Sequence, residues 1–284
     1  MTKGLTHDEV AIVFVTMGVM VDKPHIKYAI TSLREIGDYD GAIYIITDHE
    51  ECLGKYEFDS KVYALHHEVA DVSTLSLIKN PLVYRTKVRL VKTQILKVVP
   101  SYVQYLVYLD TDIIAYRSGC VKEWMVNNFF DKERGVVWRP ENVFLARWPE
   151  NNNVHLGTFV VRRSFSEPIL EAWANSVTEM DVIDRYPFMR GFMKLYGIND
   201  TFKLDTPVMR NRALRLIGLP RKSHPSDVIE MDLFMPSKKD FENMTAENGG
   251  IAPFCFLHIS NTRCRERKKY IDTMLGKGKS FIVL

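Results

Sequence analysis

Tyr105-Leu106-Val107-Tyr108-Leu109-Asp110-Thr111-Asp112-Ile113-Ile114-Ala115-Tyr116 is an apolar run broken by two carboxylates one residue apart. Two aspartates in such a run are costly unless something compensates their desolvation, and a divalent cation does so while also performing chemistry. The run is read here as a strand that ends on a metal site. For an isolated D-x-D the alternative is that one aspartate caps the following turn and the other is solvated.

Working outward, the neighbouring segments alternate between strand and helix patterns. Val10 to Thr16 is a continuous apolar, β-rich run of the kind buried on both faces of a parallel sheet. Pro24 stands at a helix start, and Ile26, Ala29, Ile30 and Leu33 follow at helical spacing up to Gly37. Ala42 to Thr47 is a second strand ending at Asp48, which makes a βαβ unit with a right-handed crossover. Lys61 to Leu65 is a further short strand. From Pro81, Val88, Val91, Ile95, Val98 and Val99 mark an apolar helical face, with Arg85, Arg89 and Lys92 along an adjacent stripe.

Beyond the D-x-D run the expected strands are Gly135 to Trp138, Leu156 to Val161 and Phe254 to Ile259. Expected helices run from about Pro168 to Val177, Arg190 to Tyr196, Val208 to Ile217 and Arg265 to Leu275. The fold class is therefore α/β, with a mostly parallel central sheet flanked by helices. No repeat or low-complexity linker divides the chain, so residues 1–284 are expected to form a single domain.

Composition narrows the function classes. The chain has 284 residues, 46% hydrophobic and 26% charged, with a formal net charge of +3, too mild a balance to argue for nucleic acid. Cys52, Cys120, Cys255 and Cys264 show neither CxxC spacing nor a zinc-like grouping with histidine, and read as reduced thiols of a soluble, cytoplasmic protein. The first ten residues lack an apolar targeting segment, and no later segment approaches the roughly 20 apolar residues of a spanning helix. Any membrane contact is expected to be peripheral.

Tyr108-Leu109-Asp110-Thr111-Asp112-Ile113-Ile114 resembles the signature strand of GT-A-fold (Rossmann-like) glycosyltransferases, particularly those similar to glycogenin and the bacterial lipopolysaccharide galactosyltransferases. Three further stretches fall in the family's order. Val15-Thr16-Met17-Gly18 resembles the nucleotide-contacting end of its first strand, and the helix with Arg89 and Lys92 resembles the one that contacts the donor. Asn153 to Val161 resembles its Asn-Ser-Gly stretch, with His155 in the asparagine's place if Gly157 is the anchor. Phe256-Leu257-His258-Ile259-Ser260-Asn261 resembles the late strand whose histidine completes metal coordination. The family's glycine and lysine after that histidine have no clear counterpart here.

The resemblance implies a nucleotide-sugar-binding part at about 10–118 and an acceptor-side part at about 135–284. It implies a metal-dependent transfer of a sugar, most readily from a UDP-sugar, to a carbohydrate hydroxyl. Asp110, Asp112 and His258 would hold Mn²⁺ or Mg²⁺, whose hard-ligand preference suits carboxylates and diphosphate oxygens. Donor contacts would come from Thr16, Met17, Gly18, Asp48, Arg89, Lys92, Asp110, Thr111, Asp112 and Arg263. An inverting transfer would need a carboxylate base, for which Asp205 is the first choice ahead of Asp227 and Asp232, while a retaining transfer needs none. As a helix N-cap Asp205 has an equally simple role. His155, Trp138 and Trp148 would line the acceptor side, and Trp173 is a further stacking surface or a core residue. The other readings are a D-x-D metal-dependent phosphatase, which would carry the motif on its first strand, and a non-catalytic sugar-nucleotide-binding protein.

Overall fold

The computed structural model describes residues 7–69, 81–129, 144–147, 154–178, 185–195, 233–234, 255–259 and 264–276. The expected elements at Gly135 to Trp138 and Val208 to Ile217 lie outside them.

Three apolar runs form the strands at the centre of the sheet: β1 (Val10–Val15), β2 (Ala42–Thr47) and β4 (Tyr105–Leu109). With β3 (Val62–His66), β6 (Phe144–Arg147) and β7 (Val154–Arg162) they make a six-stranded sheet of order β3-β2-β1-β4-β7-β6. β3, β2, β1 and β4 are parallel; β7 runs against β4, and β6 against β7. Strands from both halves of the sequence thus share one sheet, with β7 and β6 added at the β4 edge.

Alternation within each strand divides the core into two layers. Val10, Ile12 and Phe14, with Tyr105, Val107 and Leu109, face one side. There they pack with residues of α1 (His25–Thr31), of α3 (Cys120–Phe129) and of the late helix α6 (Cys264–Met274). Ala11, Val13 and Val15, with Leu106 and Tyr108, face the other. They meet residues of α2 (Pro81–Val98), α4 (Arg163–Ala174) and α5 (Arg185–Leu195).

The opening run is not one strand. β4 stops at Leu109, and after a turn the chain re-emerges as β5 (Ile113–Ala115) in a second sheet of order β5-β9-β8, with β9 at Phe256–His258 and β8 at Leu233–Phe234. Apolar content continues across the break because both pieces are fully buried, each in a different sheet.

Two other expectations need correction. β6 forms in the polar and aromatic stretch between Trp138 and Leu156, for which no strand is expected from the sequence, paired to β7 with a register shift between Leu145 and Ala146. Helix α4 begins at Arg163, so that Pro168 lies inside it rather than at its start. The earlier start is fixed by Arg163, which donates to Val99 O at 3.0 Å, Pro100 O at 3.1 Å and Val103 O at 3.0 Å, and also to Leu96 O. The Leu96, Val99 and Pro100 carbonyls lie at the C-terminal end of α2, where backbone acceptors lack intrahelical partners, and Val103 lies just before β4.

Candidate active site

β1, β2 and β4 end at the same edge of the sheet, and that edge is where the chain reverses its order of strand addition. From β1 the chain adds β2 and then β3 on one side, and β4 is added on the other. Ligands of open α/β sheets bind outside the carboxyl ends of the strands at such a switch point.

On the β4 side, Asp110 begins the turn that separates β4 from β5. Its N–H donates to Gly157 O at 2.7 Å, tying it to β7, and Ile113 N–H closes the turn on Asp110 O at 3.0 Å. β5 pairs antiparallel with β9, placing Ile113 opposite His258, and Ile259 N–H donates to Asp112 O at 3.0 Å. Asp112 Oδ2 and His258 Nε2 are consequently 3.3 Å apart, both largely buried. Burial works against a charged His258, yet the hydrogen bond and charge of Asp112, with the charge of Asp110, raise its pKa above the usual imidazole value.

Asp110 is held by α2 and by its own strand. Lys92 Nζ lies 3.0 Å from Asp110 Oδ1, and the Tyr108 hydroxyl donates to the same oxygen. Lys92 is buried, donates to Leu156 O at 3.2 Å and sits 4.9 Å from the Tyr108 ring centroid. Five residues earlier on α2, Lys87 forms an ion pair with Asp48 at the end of β2. The second oxygen of Asp48 accepts from Gly18 N–H at 2.7 Å. Desolvation pushes the Asp48 carboxyl upward, but Lys87 and the Gly18 N–H hold it below its ordinary value. Gly18 has a φ of +52°, and a Cβ there would meet no atom within 4 Å, so this left-handed backbone faces open space.

The nucleoside candidates therefore divide. Gly18 and Asp48 are joined, whereas the side chains of Thr16 and Met17 are buried, Met17 in the core layer shared with α2. Arg89 is also buried on α2. Trp173 is a core residue, packed edge-on against Phe159 and Phe188 with centroids 5.9 and 5.5 Å away. Burial on all sides excludes it as a sugar-stacking surface. Trp138, Trp148, Asp205, Asp227, Asp232 and Arg263 lie outside the described residues. His155 is described by its backbone, which pairs with Ala146 in the β7–β6 ladder.

Sequence reasoning missed Lys87 and Arg267. Arg267, on α6, is fully buried and donates to Thr111 O at 3.1 Å and Ile259 O at 2.6 Å. A usable signal was present, because Arg267 occupies the same helical stripe as Tyr270, Ile271 and Met274, of which the first two are buried.

Among the described residues, no three His, Cys, Asp or Glu side chains form a ready-made ion cage. The Asp112–His258 pair nevertheless fits a shared hard cation. Two adjacent ligands of an octahedral ion with bonds of about 2.1 Å stand about 3 Å apart, close to the 3.3 Å found here. A cation bound together with phosphate oxygens needs only one or two carboxylates from the protein. Among the described residues, no helix is long and apolar enough to cross a membrane.

No protein-family model matches the sequence, and no curated protein matches it either. Solved structures similar to this one include mouse xyloside xylosyltransferase 1 in its apo form. That likeness has a TM-score of 0.46 and 9% identity, over 89% of this chain and 98% of the other.

Proposed function

We propose that the chain is a divalent-cation-dependent glycosyltransferase of GT-A type, moving a hexosyl or pentosyl group from a nucleotide-diphosphate sugar to a hydroxyl of a carbohydrate or glycan. UDP-sugars are the proposed donors and Mn²⁺ or Mg²⁺ the cation. The observation that carries this reading is the contact of Asp112 with His258 beside the Lys92-bound Asp110, at the strand-order switch point.

Asp112 and His258 would hold the cation, with Asp110 as the third ligand. When bound, the cation neutralises the diphosphate and makes it a better leaving group. Lys92 orients the Asp110 carboxylate through Oδ1, and Tyr108 fixes the same oxygen from the strand. Gly18, Asp48 and Lys87 would border the nucleoside, since they lie across β1 from the cation pair and the Gly18 backbone faces open space. Arg263 would contact the diphosphate, Trp138, Trp148 and His155 the acceptor, and Asp205 would take the acceptor proton in an inverting transfer.

A D-x-D phosphatase is disfavoured because the motif follows the fourth strand, not the first. A sugar-nucleotide-binding protein without turnover would use the same groups. The separating experiment incubates the chain with a panel of UDP-sugars, Mn²⁺ and simple glycoside acceptors, and measures UDP release. Mn²⁺-dependent release that is abolished by Asp112→Asn supports transfer. Tight UDP-sugar binding with no release across the panel supports the binding protein.

A further inference from the structure

Arg267 lies in the most basic stretch of the chain, Arg265-Glu266-Arg267-Lys268-Lys269, yet it is fully buried while Arg265 and Lys269 on either side are exposed. Removing a guanidinium from water is costly, and the groups it meets indicate what the burial accomplishes. Nη1 donates to the carbonyl of Thr111, the residue between the two aspartates. Nη2 donates to the carbonyl of Ile259, the residue directly after His258. One planar group thus spans the two backbone segments from which Asp112 and His258 project. Nη1 is also 3.3 Å from His25 Nδ1. A guanidinium nitrogen can only donate, so that histidine nitrogen is the acceptor and the imidazole proton sits on Nε2. Helix α1 therefore fixes the guanidinium from a third direction.

We propose that Arg267 is the positioning residue of the cation site, clamping the Thr111 and Ile259 carbonyls so that Asp112 and His258 face one ion. This rests on the cation-dependent reading above. The β5–β9 ladder that joins the two segments is only three residues long, and its last pair is Ile113 with His258. One further backbone bond, from Ile259 N–H to Asp112 O, extends it towards the turn. Asp112 and His258 therefore sit where the ladder ends, and the arginine fork replaces the pairing that the strands no longer supply. A lysine would keep the charge and lose the fork, because an ammonium is a compact charge on a flexible stem.

The test titrates Mn²⁺ into the full chain in the presence of saturating UDP, for the native protein and for Arg267→Lys, following the electron paramagnetic resonance of free Mn²⁺. UDP affinity in EDTA and the metal-free melting temperature are measured alongside. Arg267→Lys is expected to weaken Mn²⁺ binding by about 10- to 100-fold, the range of a lost supporting contact to a metal ligand, and to leave metal-free UDP affinity nearly unchanged. Equal Mn²⁺ affinity in both proteins, or a matching loss of metal-free UDP affinity, overturns the positioning role. Native protein that takes up no Mn²⁺ with UDP refutes the cation reading itself, so the two failures are distinct. A second measurement needs no variant: nitrogen NMR of the native protein should give two separate Nη signals for Arg267. A single averaged signal would mean that the guanidinium rotates and clamps nothing.

Discussion

Replacing Lys92 with methionine removes the ammonium that faces Asp110 while keeping the length of the side chain beside Tyr108. The ion pair spans 3.0 Å, with Lys92 almost fully buried and the Asp110 side chain 32% exposed, so water screens the pair from one side. With an effective dielectric constant of about 40 to 80, two unit charges at that distance interact by roughly 1.5 to 3 kcal/mol. Lys92→Met also deprives the Leu156 carbonyl of its donor, which adds on the order of 1 kcal/mol to the total loss. The assay is a double-mutant cycle by urea unfolding in EDTA, using Lys92→Met, Asp110→Asn and the double variant. Asp110→Asn keeps an acceptor for Tyr108 and removes the charge. The coupling energy should fall at about 1.5 to 3 kcal/mol, well beyond the roughly 0.5 kcal/mol scatter of independent sites. Additive effects would refute the claim that Lys92 holds Asp110 in the metal-free protein.

Two further outcomes follow from burial. Trp173→Ala should cost about 3 to 5 kcal/mol of stability, measured by urea unfolding, as the indole fills the core between Phe159 and Phe188. UDP affinity of the folded fraction should stay the same; a specific loss of sugar-donor binding would contradict the core assignment. His25 carries a pKa lowered to about 4 by burial and then by the Arg267 charge. Below pH 6.5 the unfolded chain protonates this histidine and the folded chain does not, so its contribution is complete above 6.5 and is lost as pH falls towards 4. The upper bound is about 3 kcal/mol before solvent screening. Metal-free unfolding at pH 7.5, 6 and 5 should show the native protein losing more stability than His25→Asn, and parallel curves would refute the assignment.

The strands at the centre of the sheet were legible because a strand covered on both faces needs an uninterrupted apolar run, and Val10 to Val15 and Ala42 to Thr47 have one. The passage into a second sheet after Asp110 was not legible. Ile113 and Ile114 are as apolar as Leu106 and Val107, and nothing local says that they belong to another sheet. β6 escaped because its strand is four residues long and defined by its pairing with β7, a tertiary fact. Pro168 misled in the opposite direction: inside α4 it forgoes one intrahelical hydrogen bond, and the burial of Ile169, Leu170 and Trp173 against the sheet carries the helix through it. Asp110, Asp112 and His258 could be picked out as candidates from their order along the chain. Lys87 could not, because a cation in a charged helical stretch ordinarily faces water and only the packing of α2 turns it towards Asp48. The helical stripe of Arg267 marks it as buried, but its Thr111 carbonyl partner is a tertiary fact.

The proposed site requires Asp112 and His258 to share a cation with a nucleotide diphosphate. Calorimetric titration of UDP into the chain, with Mn²⁺ and again with EDTA, tests it most directly. UDP should bind at least about tenfold more tightly with Mn²⁺, and Asp112→Asn or His258→Ala should erase the difference by removing one member of the ligand pair. Identical UDP affinity with and without Mn²⁺, or a metal effect that survives both substitutions, would contradict the account.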